Sequence, residues 1–125
     1  MTENQISEII IGCAIEVHKN LGPGLLESAY EECLYYEIGS KGLWIEKQKP
    51  LPLVYKAIRM EVGYRLDLVI ENKVIVEIKS VDYLNDIHMA QVLTYLKILD
   101  LRLGLLMNFN VLRMKEDIKR VVNNI

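Results

Sequence analysis

Two apolar runs, Tyr64–Ile70 and Val74–Lys79, are separated by only Glu71-Asn72-Lys73, and this pair constrains the fold more than any other feature of the chain. Such spacing reads as a β-hairpin. Side chains alternate faces along a strand. Leu66, Leu68 and Ile70 therefore share one face of the first strand, and Val74, Val76 and Ile78 share one face of the second. All six are apolar, so this is the expected core face. The opposite face carries Arg65, Asp67 and Val69, then Ile75, Glu77 and Lys79. Counting outward from Asn72, Asp67 falls opposite Glu77.

Two carboxylates and an ammonium thus converge on neighbouring strands. Hard oxygen ligands a short distance apart suit Mg²⁺ or Mn²⁺. Like-charged carboxylates repel unless a cation or a proton lies between them. Lys79 projects to the same side, where it could orient or activate a water beside a metal. The competing reading is a solvated strand face with cross-strand ion pairs, each contributing under about 1 kcal/mol. Against it, Glu77 and Lys79 interrupt a strand that looks covered on both sides, where unpaired charges are costly.

Around the hairpin the periodicity predicts a layered α/β order. Thr2-Glu3-Asn4-Gln5 has capping-box spacing, and Ile6, Ile9, Ile10, Cys13 and Val17 follow as a helical stripe. Leu21-Gly22-Pro23-Gly24 ends that helix. A second helix is expected from about Leu25 to Lys41, with Leu26, Ala29, Tyr30, Cys33, Leu34 and Ile38 inward and Gly42 just past its end. Trp44–Lys49 and Leu51–Tyr55 read as short extended segments, and Pro50 and Pro52 favour a sheet edge. Residues Ile58 to Val62 extend again after a turn at Lys56-Ala57. Asp86–Leu99 is helical, with Ile87, Ala90, Val92, Leu96 and Leu99 as its apolar set. Leu103–Phe109 has the continuous apolar character of a buried central strand. Ile118–Val122 suits either a last strand or a helical turn.

With 125 residues, 51% hydrophobic and 26% charged, the chain is expected to form one domain spanning 1–125 with a real core. No apolar run reaches the roughly 18 residues a bilayer span needs. The N-terminus lacks the basic start and apolar core of an export signal, which points to the cytoplasm. Cys13 and Cys33 sit at helical core positions and are expected as free thiols. The net charge of −2 does not suggest a nucleic-acid binder, but its distribution is uneven. Residues 1–40 carry seven Glu against one Lys, whereas residues 41–80 carry eight Lys or Arg against five acids. Lys47, Lys49, Lys56 and Arg59 could meet a phosphate backbone, although solvated edge lysines are the ordinary reading.

Asp67 followed by Glu77-Ile78-Lys79 on the next strand resembles the Asp…Glu-x-Lys core of the PD-(D/E)xK nuclease superfamily. Gly24-Leu25-Leu26-Glu27-Ser28-Ala29-Tyr30 matches the Gly-x-x-Glu-x-x-Tyr signature of one group within it, the GxxExxY group. The preceding Val17-His18-Lys19-Asn20-Leu21-Gly22-Pro23 is similar to that group's helix-to-helix turn. Gln91-Val92-Leu93-Thr94-Tyr95-Leu96 matches a Gln-x-x-x-Tyr helix motif of related nucleases, and Gly104–Phe109 is similar to the group's closing strand. Leu66 stands where the superfamily name has its Pro. The resemblance implies a restriction-endonuclease-like sandwich, with a central mixed β-sheet flanked by helices. It also implies a nuclease using Mg²⁺ or Mn²⁺. Asp67 and Glu77 would ligate the metal, with the Ile78 carbonyl and Glu27 completing the set. Lys79 would hold the attacking water, and Gln91 and Tyr95 would steady Lys79 or touch a phosphate.

Each of these residues also has a plainer role open to it. Glu27 suits the first turn of a helix on dipole grounds, Tyr30 suits the core, and Gln91 with Tyr95 suits a buried polar pair. His18 and His88 are isolated, without metal-ligand spacing. At the level of function the alternative is a non-catalytic module that binds nucleic acid or protein. The acidic first third fits a protein partner or a homodimer surface, while the nuclease reading expects DNA or RNA.

Overall fold

The computed structural model describes residues 1–61 and 63–124. Its elements are α1 (Glu3–Leu21), α2 (Glu27–Ser40), β1 (Ile45–Pro50), β2 (Leu53–Tyr55), β3 (Ile58–Met60), β4 (Arg65–Ile70), β5 (Val74–Lys79), α3 (Asp86–Leu99), β6 (Leu103–Asn108), a 3-10 turn (Met114–Asp117) and β7 (Ile118–Val122). The expected extension at Val62 lies outside the described residues. The tail resolves in favour of a strand.

A five-stranded sheet in the order β1-β4-β5-β6-β7 forms the middle layer. All its neighbours are antiparallel except β5 and β6, which run parallel. A parallel pair cannot be joined by a tight turn, so the chain crosses over through α3. The β4–β5 register runs Ile70↔Val74, Val69↔Ile75 and Leu68↔Val76, as the three-residue turn requires. Edge placement of the proline-bearing β1 is also as expected, because Pro cannot donate to a central ladder.

The sheet separates two cores. Ile6, Ile10, Cys13 and Val17 of α1 and Tyr30, Leu34 and Ile38 of α2 pack on Leu68, Ile70, Val74, Val76 and Ile78. On the other face Val92, Tyr95 and Leu96 of α3 cover Val69, Ile75, Leu106 and Val121. Three helices flanking a mixed sheet in this way make the restriction-endonuclease-like sandwich expected from the sequence. Gly104 sets the depth of the α3 layer: a Cβ there would stand 2.6 Å from Val92 Cγ1 and 3.1 Å from Ile75 Cγ1. Burial of eleven of the twelve residues of β5 and β6 explains why apolar residues dominate both strands.

Four details depart from the sequence expectation. Leu26 is 78% exposed, because the helix begins at Glu27, two residues past the expected Leu25, and Leu26 is only its N-cap. Ile87 is 75% exposed and Ala90 is also exposed, since α3 turns Tyr95 inward in their place. Leu66 packs with the α3-side cluster rather than beside Leu68. The strict alternation fails there because the β4 ladder is interrupted at the intervening residue, Asp67.

Candidate functional site

Asp67 is unpaired on both sides of its strand. The β1–β4 register passes from Lys47↔Leu68 to Lys49↔Leu66, and the β4–β5 register stops at Leu68↔Val76. Gln48, across from Asp67, adopts a left-handed φ of 50°. The strands part at this point, and side chains complete the hydrogen bonding in place of the ladder. Asp67 Oδ2 accepts from Ile78 N at 2.8 Å, and Asp67 N donates to Glu77 Oε1 at 3.4 Å. The two carboxyl groups are therefore neighbours, as the turn length implied.

Glu77 is only 4% exposed and β5 holds it among apolar residues. Burial pushes its carboxyl up to about 9 from an ordinary 4.5. Repulsion from the Asp67 carboxylate and the side-chain contact with it push the same way, while the bond from the Asp67 backbone N–H and the charge of Lys79 pull against them. Lys79 follows on the same side of β5, half-buried, and forms no ion pair within 4.0 Å among the described residues. Its carbonyl accepts from Phe109 N at 2.9 Å. Asn108 beside it in the register is fully buried and clamps the exit of the strand. Its Oδ1 accepts from Val81 N at 3.1 Å and its Nδ2 donates to Val81 O at 3.0 Å. Asn108 is not among the sequence-derived site residues; a polar residue near the close of the apolar run Leu103–Phe109 was the available signal.

From α2 come two acids. Glu27 Oε2 accepts from Ser80 N at 3.3 Å, which sets it at the end of β5 just past Lys79. Glu31, one turn on, accepts from Gln48 Nε2 at 2.6 Å, and the same Nε2 lies 3.4 Å from Asp67 Oδ1. Burial raises the Glu31 carboxyl and the charge of Asp67 adds to that, while the bond from Gln48 opposes it. Sequence reasoning missed Glu31 and Gln48. Spacing of four from Glu27 would have put Glu31 on the same helix face, but nothing in the sequence foretold the turned backbone at Gln48. The start of α2 is fixed by Tyr30, whose hydroxyl donates to Gly22 O at 2.7 Å and accepts from Leu25 N at 3.1 Å. Its ring stacks on Phe109 at 4.6 Å.

From α3, Tyr95 reaches the same region. Burial raises its hydroxyl, and the nearby charges of Glu77, Tyr64 and Asp67 add to the shift. Gln91 and Tyr95 do not hydrogen-bond each other, nor does either bond Lys79, among the described residues. Instead they line, with Leu53, Tyr64, Thr94 and Ile98, a cleft of about 220 Å³.

The donor set fits a hard divalent cation in one respect: two carboxyl groups are held together where burial forces one of them to keep a proton. Cation binding would relieve that clash without a proton. Among the described residues, no group of three His, Cys, Asp or Glu side chains stands ready to hold a metal. The histidines are structural. His18 Nε2 contacts Val111 O at 2.7 Å, and His88 completes the α3 capping box with Asn85. Both cysteines are free, Cys13 buried and Cys33 half-buried. Of the basic candidates, Lys47 pairs with Glu32, Lys49 with Glu46 and Arg59 with Glu61, while Lys56 lies over the Tyr55 ring. No described helix is long and apolar enough to cross a membrane.

The sequence profile described as the PD-(D/E)XK nuclease superfamily matches residues 4–121. No curated protein and no solved structure matches the chain.

Proposed function

The chain belongs to the PD-(D/E)XK nuclease superfamily, and from that premise we propose that it is a metal-dependent nuclease hydrolysing phosphodiester bonds of DNA or RNA. The observation that carries this reading is the enforced contact of Asp67 with buried Glu77, with Lys79 beside them and without an ion-pair partner among the described residues. Enzymes of this superfamily generally use Mg²⁺ or Mn²⁺. Asp67, Glu77 and the Ile78 carbonyl would hold the ion, with Glu27 joining from α2. Bound there, such an ion supplies Lewis acidity and lowers the pKa of water.

The chain's own residues divide the remaining work. Asp67 keeps its carboxylate aimed at the gap by bonding the backbone of Ile78. Glu77 would ligate such an ion as a carboxylate, giving up the proton that burial otherwise holds on it. Lys79 orients the attacking water and offsets the negative charge gathering on the phosphate, a task for a compact, mobile ammonium. Gln91 and Tyr95 meet the substrate from the α3 side. We further assign the protein to the GxxExxY group, on Glu27 and Tyr30, and to the cytoplasm, as one domain.

A second reading, a non-catalytic binding module for nucleic acid or protein, is favoured by the lack of a third grouped ligand among the described residues. Titration calorimetry with Mn²⁺, followed by cleavage assays on mixed DNA and RNA, separates the two. Wild-type protein is expected to bind Mn²⁺ and cleave; Asp67→Ala should lose both, and Lys79→Ala should bind but not cleave. Metal-dependent cleavage that survives in both folded variants would sink the assignment.

A further inference from the structure

Beside the carboxylates lies a cleft whose occupant the hydrolytic chemistry leaves unspecified. Tyr64 is 45% exposed, on the approach to β4. Its ring meets Tyr95 edge-on, at 6.5 Å and 63°. Gln91 contributes a carboxamide to the same cleft and spends it on no partner among the described residues. Thr94 has already bonded Ala90 O at 3.0 Å, so among the described residues the Gln91 carboxamide and the hydroxyls of Tyr64 and Tyr95 are the polar groups left to read an occupant. Leu53 and Ile98 close the walls. Aromatic faces with one uncommitted donor–acceptor amide suit a flat, heteroatom-edged ring system.

Charge points to the same kind of occupant. Residues 47–65 hold Lys47, Lys49, Lys56, Arg59 and Arg65 against the single acid Glu61, in a chain that is acidic overall. The hairpin β2–β3, which supplies Leu53 to the cleft, carries Lys56 and Arg59. The pairs these residues make with Glu32, Glu46 and Glu61 are exposed or half-exposed. Exposed pairs contribute little and exchange readily for phosphate.

We infer that the Tyr64–Gln91–Tyr95 cleft receives one unpaired nucleobase, with the strand's backbone running along the basic segment 47–65, so that single-stranded nucleic acid is the substrate class. A base stacked in a duplex presents no free face to Tyr64 and cannot enter. The inference takes its chemistry from the proposed nuclease function, but its test needs no metal and no turnover. Fluorescence anisotropy in EDTA would compare one labelled sequence as single-stranded DNA, single-stranded RNA and duplex DNA. The expected result is single-strand binding, of DNA or RNA, at least about tenfold tighter than duplex binding, weakened roughly tenfold by Tyr64→Ala. Tyr64→Phe should retain the affinity, since the ring carries the contact, and Gln91→Ala should blunt preferences among bases. Tyr36→Ala, an exposed ring on α2, is the control. Equal affinity for duplex and single strand, or no loss in folded Tyr64→Ala, would overturn the inference while leaving a cleavage result standing. Single-strand binding with no cleavage under any metal would support it and sink the nuclease reading instead.

Discussion

Glu77 concentrates the conflict at the centre of this molecule, because a single carboxyl is both buried and set against another carboxylate. Its proton makes the arrangement tolerable without metal. In the folded chain the group titrates near 9 against 4.5 unshifted. Between those values the folded state holds a proton that the unfolded state has released, so stability falls as pH rises through that window. The stabilisation is full below about 4.5 and gone once pH passes about 9. Thermal melts in EDTA from pH 5 to 9 should show a falling midpoint. Glu77→Gln, which keeps the shape but cannot ionise, should flatten that slope. An unchanged slope in the variant would assign it to another group.

Elements hold these residues in place chiefly by close approach. Packing of α3 against β6 depends on Gly104, where any side chain meets Val92 and Ile75. Gly104→Ala is therefore expected to destabilise the fold by about 1–3 kcal/mol, the usual cost of overpacking, and denaturant titration would measure it. The same substitution should shift α3 and with it Tyr95 and Gln91. Most of this layering was legible in the sequence. The three-residue turn dictated the β4–β5 register, and with it the meeting of Asp67 and Glu77; the continuous apolar run of Leu103–Phe109 identified β6 as central, and the apolar residues around Glu77 marked β5 as covered on both sides. What was not legible depends on contacts distant in sequence. Gln48 takes a left-handed backbone because Asp67 and Glu31 engage it from two other elements, and no local preference of Gln encodes that. Leu66 changes layers for the same reason, at the same break in the ladder. Leu26 obeys the helical spacing yet stays in solvent, because spacing does not tell where the first turn begins.

At the scale of the whole molecule, the site is where the two faces of the sheet communicate. Glu27 and Glu31 arrive from the α1–α2 layer, Tyr95 arrives from the α3 layer, and the gap at Asp67 lets them address one place. A cation binding there would bind only the folded chain, so it should raise the melting temperature, the gain growing with the logarithm of its concentration above Kd. A hundredfold excess over Kd corresponds to about 2.7 kcal/mol. Because Glu77 would have to give up its proton to ligate the ion, this gain should grow between pH 6 and 9, and Asp67→Ala should abolish it. Calorimetric scans with and without Mn²⁺ at two pH values would decide the point.

The hairpin β2–β3 pairs only with itself, and the excursion that contains it is closed at its base by the bond from Leu51 N to Tyr64 O, 2.9 Å long. It neither shares a ladder with the five-stranded sheet nor contributes a carboxylate. On the proposed reading such an arm is a separable module: exchanging it should alter which strand is held while leaving Asp67, Glu77 and Lys79 in place. Target preference and cleavage chemistry would then be carried by different stretches of the chain, the first by the arm and the second by the β4–β5 hairpin, so that either could be altered without the other.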